Sequence, residues 1–427
     1  MLQWLDAYHP EDTKTARKNF IANVMDGSLF AFGMSFVSLQ TILPIFVQNM
    51  GGSNISVGLI PVVWTFGFNF PQIFIVKHAQ RLKRKKSLFM KTSLIQRIPW
   101  LLLALLSFFV LEHVGTDVAL LLFFSTFALT AVGGSINLPV WFDLIAKLTP
   151  MKIRGRLFAV RSILGAVFGI VGGACVTLVL SIASYPKSYG ILFLLAFVMM
   201  MISYWFLGTL KETKASIVSE NPMAQKSLEK IKEIIRTNFN YRNFLIADAL
   251  VISSSMANAF FTVNAFKRFS LTDAYAGAFT IAIMISMIFG SVVFGFIGDH
   301  YGHKLNLLIS SISTFVASMA ALLAPSIELY MIVFICSAFT VAINGISRLP
   351  IVAELCTEVE RPTYIALTNL ITSPFVLFGV GGGWMANYVG YDAVFIVSTV
   401  FSLGAVYWLS TMVKEPRKEQ TIALANL

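Results

Sequence analysis

Long uninterrupted apolar stretches constrain this chain more than any other feature of its sequence. They recur from residue 20 to residue 413, for example at 20–47, 191–210 and 274–297. About 20 apolar residues carry a helix across the hydrocarbon core of a bilayer. Backbone polar groups in lipid need internal partners, so such stretches form helices or a closed barrel, and barrel strands would alternate in polarity. The sequence therefore predicts an all-α membrane protein.

Charged and turn-forming residues divide the apolar sequence into twelve predicted transmembrane spans. These are 20–47, 54–76, 87–111, 118–145, 156–184, 189–210, 241–266, 274–298, 304–324, 327–353, 362–388 and 391–413. The longest polar segment separates the sixth span from the seventh. We therefore predict an N-terminal tail at 1–19, a six-helix bundle at 20–210, a linker with an amphipathic helix at 211–240, a second six-helix bundle at 241–413 and a C-terminal tail at 414–427.

Lysine and arginine are distributed unevenly over the predicted loops. The net charge is +11, although charged residues make up only 12% of the chain. Nearly all the basic residues fall in one set of loops, while the opposite set holds only Lys187, Lys267 and Arg268. The positive-inside rule places the basic loops, both termini and the linker in the cytoplasm. This explains the charge without a nucleic-acid partner and predicts a multi-pass protein of the plasma membrane, such as a bacterial inner membrane.

The two predicted bundles carry matching sequence features. The fourth span ends in Leu-Pro-x-x-x-acid-Leu with Asp143 as the acid, and the tenth span ends in the same pattern with Glu354. Glycines cluster in the fifth span at 165–173 and in the eleventh at 379–383. Repetition in register indicates a duplication and therefore two pseudo-symmetric bundles. The glycines of the fifth span predict close packing of that helix against its neighbours.

The loop between the eighth and ninth spans carries the most specific motif. It reads Gly-Phe-Ile-Gly-Asp-His-Tyr-Gly-His-Lys over residues 295–304. This resembles the signature of the major facilitator superfamily, Gly-x-x-x-Asp-(Arg/Lys)-x-Gly-(Arg/Lys)-(Arg/Lys), with histidines at two basic positions. The twelve spans, the central linker and the repeated halves extend the resemblance to nearly the whole chain. It implies a secondary transporter in which two bundles alternate access to a site between them.

The resemblance also implies a gate at the cytoplasmic ends of the spans. The motif aspartate would face the basic start of the fifth span, and the acid that ends the tenth span would hold a basic residue of the motif. The equivalent first-half loop has Gln80 instead of aspartate, so the stronger latch is expected between the eighth and fifth spans. A solvated basic loop without a latch is the alternative. The predicted gate comprises Gly295, Asp299, Gly302, His303, Lys304, Arg154, Arg156, Glu354, Asp143 and Arg361.

Ionisable residues within the spans are the candidates for proton coupling, because charges inside a membrane are costly. Asp26 and Asp248 lie at matching depths in the first and seventh spans, and Arg348 lies in the tenth. The resemblance implies that these spans line the cavity. We therefore expect Asp248 to pair with Arg348 and Asp26 to face a neutral Asn137, which would leave Asp26 able to carry a proton. Alternatively, Asp26 forms a structural ion pair with one of two basic residues, Arg97 or Arg161.

Polar and aromatic residues in the spans are candidates for contact with the substrate, although each also suits helix packing. Those singled out are Gln40, Trp64, Asn69, Asn137, Asn258, Asn264, Asn344, Asn369 and Trp384. A His-x-x-His pair, His300 and His303, lacks the further ligands of a metal site, so neither a metal nor another cofactor is expected.

The functional expectation is a monomeric, proton-coupled secondary transporter of a small organic molecule in the lipid bilayer. Export is favoured, for example of an amphipathic or drug-like compound, since the chain has 38 phenylalanines and 17 methionines. The alternatives are a symporter or facilitator that imports a polar nutrient such as a sugar or organic acid, and a lipid or lysolipid flippase. No ATP-binding motif and no Gly-x-Gly-Asp motif of an intramembrane aspartyl protease occurs, so an enzyme is not expected.

Overall fold

A computed structural model of the chain describes residues 13–71, 84–149, 151–212, 228–357 and 360–417. Over these ranges every regular element is a helix, and no strand occurs. Ten helical segments are long and apolar enough to cross a membrane, and Asn54–Asn69 is a shorter apolar helix. The end of the predicted second span and Gln80 lie outside the described residues. The prediction of an all-α membrane protein is confirmed.

The α-helices of the described residues are numbered here in chain order. The first half contains α1 (Thr13–Ser35), α2 (Ile42–Asn49), α3 (Asn54–Asn69), α4 (Lys86–Phe109), α5 (Thr116–Leu148), α6 (Met151–Ile182) and α7 (Lys187–Thr209). The second half contains α8 (Leu228–Thr237), α9 (Phe239–Ser254), α10 (Asn258–Phe269), α11 (Tyr275–Tyr301), α12 (His303–Leu323), α13 (Ile327–Glu354), α14 (Arg361–Thr372), α15 (Phe378–Tyr388) and α16 (Tyr391–Thr411).

Three predicted spans are interrupted, although the sequence analysis treated each as one helix. The first divides into α1 and α2, the seventh is broken by a 3₁₀ turn at Ser255–Ala257, and the eleventh by a 3₁₀ turn at Ser373–Leu377. The hydroxyls of Ser253–Ser255 each bond to a carbonyl three or four residues earlier, which competes with the helical ladder. Pro374 lacks the backbone N–H that a continuous helix needs.

Two compact units make up the fold, and each draws on both halves of the sequence. Unit 1 comprises Met1–Ser38, Val63–Ala224 and Asp273–Ile281, and unit 2 comprises Leu39–Val62, Gln225–Thr272 and Ala282–Leu427. The units are defined by packing, whereas the predicted bundles follow the repeat along the sequence. The bundle boundaries therefore stay a prediction, although the predicted linker does contain a helix, α8.

Unit 1 is organised around five long helices. Helix α1 packs along α6 and α7, and α4 packs along α5 and α7. Trp100 is fully buried and contacts the rings of Phe127 and Phe193, with centroids 6.4 and 6.2 Å away. Gly133 lets α5 approach α4 closely, because an added Cβ would lie 2.5 Å from the backbone nitrogen of Gln96. This packing holds the polar face of α4 inside the unit.

Unit 2 has a corresponding arrangement. Helix α12 packs along α13 and α16, and α9 packs along α16. An apolar cluster of this unit includes the fully buried Tyr241, Ile343 and Ile351. Helix α2 also belongs to this unit, and its residues 42–47 are all buried. A short helix from the first half of the sequence is thus part of the core of unit 2.

Glycines bring helix backbones together in both units. In unit 2, a Cβ at Gly58 of α3 would overlap the backbone of Gly379 in α15. In unit 1, Gly173 of α6 and Gly277 of α11 face each other in the same way. The prediction that the glycines of the fifth span serve close packing is confirmed, and Gly379 in the eleventh span has the same role. Side chains at these positions would separate the helices.

Candidate functional site

A buried cluster of charges lies in unit 1, where α1, α4, α6 and α7 meet. Asp26 of α1 is 2% exposed. Its Oδ2 lies 3.4 Å from Nη2 of Arg161, and its Oδ1 lies 3.7 Å from Nη2 of Arg97. Ser203 donates a 2.7 Å hydrogen bond to Oδ1. Because arginine stays protonated, two guanidinium groups face one carboxylate, and the cluster carries an excess positive charge when Asp26 is ionised.

The expectation that Asp26 faces a neutral Asn137 is wrong. Asn137 Oδ1 instead accepts hydrogen bonds from Thr92 and Ser93 of α4, at 3.0 and 3.2 Å. Both basic residues considered as alternative partners lie beside the carboxylate. A carboxylate taken out of water is costly unless cations and hydrogen bonds compensate it, which is why the paired arrangement is the stable one.

Arg97 uses all three of its guanidinium nitrogens. Its Nε donates to the carbonyl of Met200 at 3.0 Å, Nη1 to the carbonyl of Ser93 at 3.1 Å, and Nη2 to Ser203 Oγ at 3.2 Å. Its side chain is 3% exposed. Arg97 is therefore a fixed, fully buried partner of Asp26.

Arg161 is held more loosely, and its side chain is 17% exposed. Among the described residues, only Asn23 Oδ1 accepts a hydrogen bond from its side chain, at 3.2 Å from Nη1. The guanidinium lies 4.7 Å from the ring centroid of Trp141, a cation–π contact. It also crosses α1 at Gly27, where any Cβ would overlap it. The Asp-Gly pair in the first span was the sequence signal for this crossing.

Unit 2 contains a second ion pair, in which the charges balance and in which Asp248 is buried while the side chain of Arg348 is 22% exposed. Arg348 of α13 donates from Nε and Nη2 to the carboxylate of Asp248 in α9, at 2.9 and 2.8 Å. Its Nη1 also donates to Asn369 at 3.2 Å, and Nη2 donates to Thr372 at 3.0 Å. The pairing of Asp248 with Arg348 is present as predicted. The fork geometry satisfies both partners within the unit.

The other cavity candidates fall into different environments. Asn264 binds Tyr330 and serves packing, while Gln40 donates to Ser337 at 3.4 Å. Asn344 is half-buried, and its Oδ1 has no hydrogen-bond partner among the described residues. The remaining candidates have aromatic contacts or partly exposed positions: Trp64 stacks on Phe68 and Phe127, Trp384 lies beside Tyr388, and Asn69 and Asn258 are half-buried. Contact of any of them with a substrate stays a prediction.

The predicted gate residues of unit 2 lie together. Glu354 Oε1 is 3.8 Å from Nε2 of His303, as expected, but it also accepts a 2.8 Å hydrogen bond from Arg417. Arg417 donates to the backbone carbonyl of Asp299 at 2.8 Å as well. Of the remaining gate residues, Arg361 donates to the carbonyl of Ala353, Gly295 has open space around it, and the side chain of Asp143 is not among those described.

The latch from Asp299 to the fifth span joins residues of different units and stays a prediction. Within unit 1, Nε of Arg154 donates to the carbonyl of Thr149 at 2.9 Å. Arg156 lies on the same turn of α6.

A repeated Lys-Glu pair was missed by the sequence analysis. In unit 1, the side chain of Asn19 both donates to and accepts from the backbone of Lys211, and Glu212 accepts from the backbone N–H groups of Lys85 and Lys86 at 3.0 Å. Glu212 thereby caps α4, with Lys147 Nζ 2.5 Å from its Oε1. We call this arrangement the first Lys-Glu clasp.

Unit 2 repeats the arrangement, which we call the second Lys-Glu clasp. Asn240 exchanges hydrogen bonds with the backbone of Lys414, and Glu415 accepts from the backbone N–H of Lys304 at 3.2 Å. The Glu415 carboxylate occupies the space beside Gly302, whose φ is +93° and where a Cβ would clash. The glycine of the signature motif thus makes room for the chain that follows α16. In the sequence, the two clasps could have been recognised by the Lys-Glu pair that follows both the sixth and the twelfth span.

The two clasp glutamates differ in their ionisation. Burial alone would raise the pKa of Glu212, but the hydrogen bonds from Lys147 and from the backbones of Lys86 and Lys85 outweigh it and lower that pKa. Burial raises the pKa of Glu415, against the Lys304 backbone N–H, and the nearby Glu354 adds to the rise. The difference follows from the balance of these effects: the hydrogen bonds of Glu212 outweigh its burial, whereas at Glu415 burial outweighs the backbone N–H and the charges of Arg417 and Lys304.

Two helical units built from helices long and apolar enough to span a bilayer define a multi-pass membrane protein. The chain belongs to the Major Facilitator Superfamily, whose model matches residues 25–286 and 249–425. It is therefore a secondary transporter and not an enzyme, as its signature motif indicated. No curated protein sequence matches the chain.

Solved structures of transporters share the fold at low sequence identity. A point mutant of the nucleoside transporter NupG is 15% identical with a TM-score of 0.70, covering 94% of this chain and 100% of that one. A bacterial homologue of the human lysosomal transporter Spinster, inward-facing and unoccupied, is 14% identical with a TM-score of 0.64, covering 93% and 96%. A D-xylose–proton symporter is 14% identical with a TM-score of 0.63, covering 94% and 99%. At these identities the likeness shows the fold alone.

Proposed function

We propose that this protein is a proton-coupled secondary transporter of a small polar organic solute, with Asp26 as the proton-binding group. The observation that carries the proposal is the position of Asp26, buried in α1 between two arginines. Protonation of the carboxylate removes one of three interacting charges and so changes what the arginines can bind. A change of this kind couples proton binding to a second ligand, as alternating access requires.

The buried polar groups support a polar solute over an amphipathic one. Both units place charges and amide side chains inside the membrane-spanning helices, as with Arg348, Asn369 and Thr372. Ionisable groups in such positions are retained where they serve a solute or an ion. The names of the similar structures, a nucleoside transporter and a D-xylose–proton symporter, agree with a polar solute. Export of an amphipathic compound, favoured by the sequence analysis, becomes the second candidate, supported by the phenylalanine and methionine content.

The same proposal includes the membrane that holds the protein and the orientation of the chain in it. The basic loops place both termini in the cytoplasm of a cell whose plasma membrane holds the protein. In that orientation the Lys-Glu clasps and the latch predicted from Asp299 to Arg154 and Arg156 lie on the cytoplasmic side. A monomer is part of the same proposal, because both carboxylate–arginine clusters are formed within one chain.

Proton flux in liposomes tests the function directly. Reconstituted protein is given nucleosides, sugars, organic acids and short peptides in turn, while an entrapped pH-sensitive dye reports internal pH. We expect one class to drive proton movement, and Asp26→Asn to abolish that movement. Asp117→Asn is the matched control, because Asp117 is exposed in the first turn of α5. Solute uptake without proton flux, equal in wild type and Asp26→Asn, would contradict proton coupling through Asp26.

A further inference from the structure

Three arginines that lie at least six residues from either end of a described membrane-spanning helix, Arg97, Arg161 and Arg348, differ in how completely their charge and donors are satisfied. Arg348 forms a fork on Asp248 and has two further acceptors, and Arg97 fills all three nitrogens. Arg161 shares the single carboxylate of Asp26 with Arg97, and its side chain donates to one described acceptor only. Its guanidinium carries five N–H groups, so most of its donors are available to a ligand.

A second polar group beside Arg161 also lacks a partner. Asn23 of α1 is 0% exposed, and its Nδ2 has no hydrogen-bond partner among the described residues. Its amide orientation is fixed, because Arg161 can only donate and must therefore meet Oδ1 rather than Nδ2. An unpaired buried amide is unfavourable and calls for an acceptor. Two sets of unused donors and one excess positive charge thus lie side by side.

We propose that Arg161 and Asn23 bind the carboxylate of the transported solute, which is therefore an organic monoanion. A carboxylate offers two oxygens that accept from a guanidinium and an amide together, and its single charge equals the excess on the cluster. The Trp141 ring, 4.7 Å from the guanidinium centre, gives the apolar part of such a solute a surface to contact. This inference rests on the proposed function and names its substrate class.

Charge balance links this site to the proton. With Asp26 ionised, the empty cluster of Asp26, Arg97 and Arg161 carries one positive charge, which a bound monoanion neutralises. With Asp26 protonated, the empty cluster carries two positive charges and attracts the anion more strongly. By reciprocity, a bound anion favours the proton on Asp26 to the same degree. Proton and anion thus load together and leave together.

Thermal unfolding of the detergent-solubilised protein tests the site without any gradient. The probes are acetate, lactate and benzoate, each compared with its uncharged amide, and chloride and inorganic phosphate are run in parallel. We expect at least one carboxylate to raise the unfolding temperature with saturation, while its amide does so at least tenfold more weakly. Equal effects of acids and amides would overturn the proposal. A shift with chloride or phosphate but with no carboxylate would also overturn it, because the site would then serve an inorganic anion.

Asn23→Asp places a permanent carboxylate where the ligand is proposed to bind. We expect this variant to unfold at a higher temperature than wild type and to lose the carboxylate-induced shift at least tenfold. Asn387→Asp is the control, because Asn387 is exposed and its Oδ1 accepts from the backbone of Asn54, a role that aspartate also fills. If Asn23→Asp does not fold, Arg161→Lys replaces it and should weaken carboxylate binding about tenfold while keeping the charge. Full carboxylate binding in either folded variant would overturn the site.

The liposome experiment separates this inference from the proposed function. Proton-coupled transport of an uncharged solute that needs Asp26 would overturn the anion site and leave the function standing. Carboxylate binding that needs Arg161, without proton flux on transport, would overturn proton coupling and leave the site standing.

Discussion

Single residues in the membrane interior are distinguished here by how their charges are compensated. Asp248 lies beside one arginine, so the charges of that pair cancel. Asp26 lies beside two arginines, so the charges of that cluster do not cancel. The balanced pair has the geometry of a structural contact. The unbalanced cluster has donors left for a ligand. The same residue types at matching depths therefore support different roles.

Breaking the balanced pair should destabilise the protein strongly. Asp248→Asn leaves the charge of Arg348 in unit 2 without its carboxylate partner. We therefore expect the free energy of unfolding to fall by about 3–5 kcal/mol. The double variant Asp248→Leu with Arg348→Met should recover most of this loss, since no buried charge remains. Thermal unfolding of Asp248→Leu, of Arg348→Met and of the double variant measures the coupling. Additive losses, with no recovery in the double variant, would show that the pair is not coupled.

The two clasp glutamates should respond to pH in opposite ways. The pKa of Glu415 is raised above the ordinary 4.5, so its stabilising contribution is present below that value and is lost as pH rises through the raised pKa. The pKa of Glu212 is lowered, so its contribution is present above 4.5 and is lost only as pH falls through the lowered pKa. Acidification from neutral pH should therefore tighten the second Lys-Glu clasp and leave the first unchanged.

Hydrogen exchange measures this difference. After correction for intrinsic rates, backbone amides at 413–417 should exchange more slowly at about pH 5 than at about pH 7.5, and amides at 210–212 should not change. Glu415→Gln should hold the second clasp in its slowly exchanging form at both pH values. Equal pH responses of the two clasps would exclude the assigned asymmetry.

At the scale of elements, glycines and helix breaks decide which helices approach. Helices α3 and α15 meet at Gly58 and Gly379, and α6 and α11 meet at Gly173 and Gly277. The first contact joins the second span to the eleventh, and the second contact joins the fifth span to the eighth. In the predicted repeat the second span corresponds to the eighth and the fifth to the eleventh, so the two contacts are equivalent. The breaks in the first and seventh spans are related in the same way. Discontinuous spans at repeat-related positions are typical of transporters that build a site at those levels.

A side chain at one of the helix contacts should prevent it from forming. Gly379→Val places Cβ and two methyl groups against α3, and we expect transport to fall at least tenfold because α3 and α15 cannot approach. Gly381→Val is the matched control on the same helix, since a Cβ there meets no neighbour. Initial rates of solute uptake, normalised to folded protein, measure both variants. Equal rates would show that the close contact is not required for transport.

At the scale of the whole molecule, each compact unit depends on a segment from the other half of the sequence. Unit 2 buries residues 42–47 of α2, and unit 1 includes Asp273–Ile281. Apolar burial stabilises a fold in proportion to the area removed from water, so a half that lacks its segment leaves core surface exposed. The boundary between the two halves of the sequence repeat therefore differs from the boundaries between the two compact units.

Cutting the chain in its linker tests this dependence. We expect residues 228–427 expressed alone to aggregate or be degraded, because the core surface that α2 covers is left open. Co-expression with residues 1–227 should restore a monodisperse protein with transport activity. Size-exclusion chromatography and uptake assays report the two outcomes. A stable, monodisperse 228–427 fragment would show that α2 is not needed for the folding of that half.

The class of protein, the helical fold and the Asp248–Arg348 pair could be predicted from the amino-acid sequence. Lipid allows few backbone solutions, so apolar length alone predicts helices, and matching depths in two spans were enough to pair one aspartate with one arginine. The partners of Asp26 and the packing of α2 in unit 2 could not be predicted in this way. Each of these depends on how a helix is rotated about its axis and which neighbour it meets. Local apolar patterns leave both undetermined when every face of a helix is apolar.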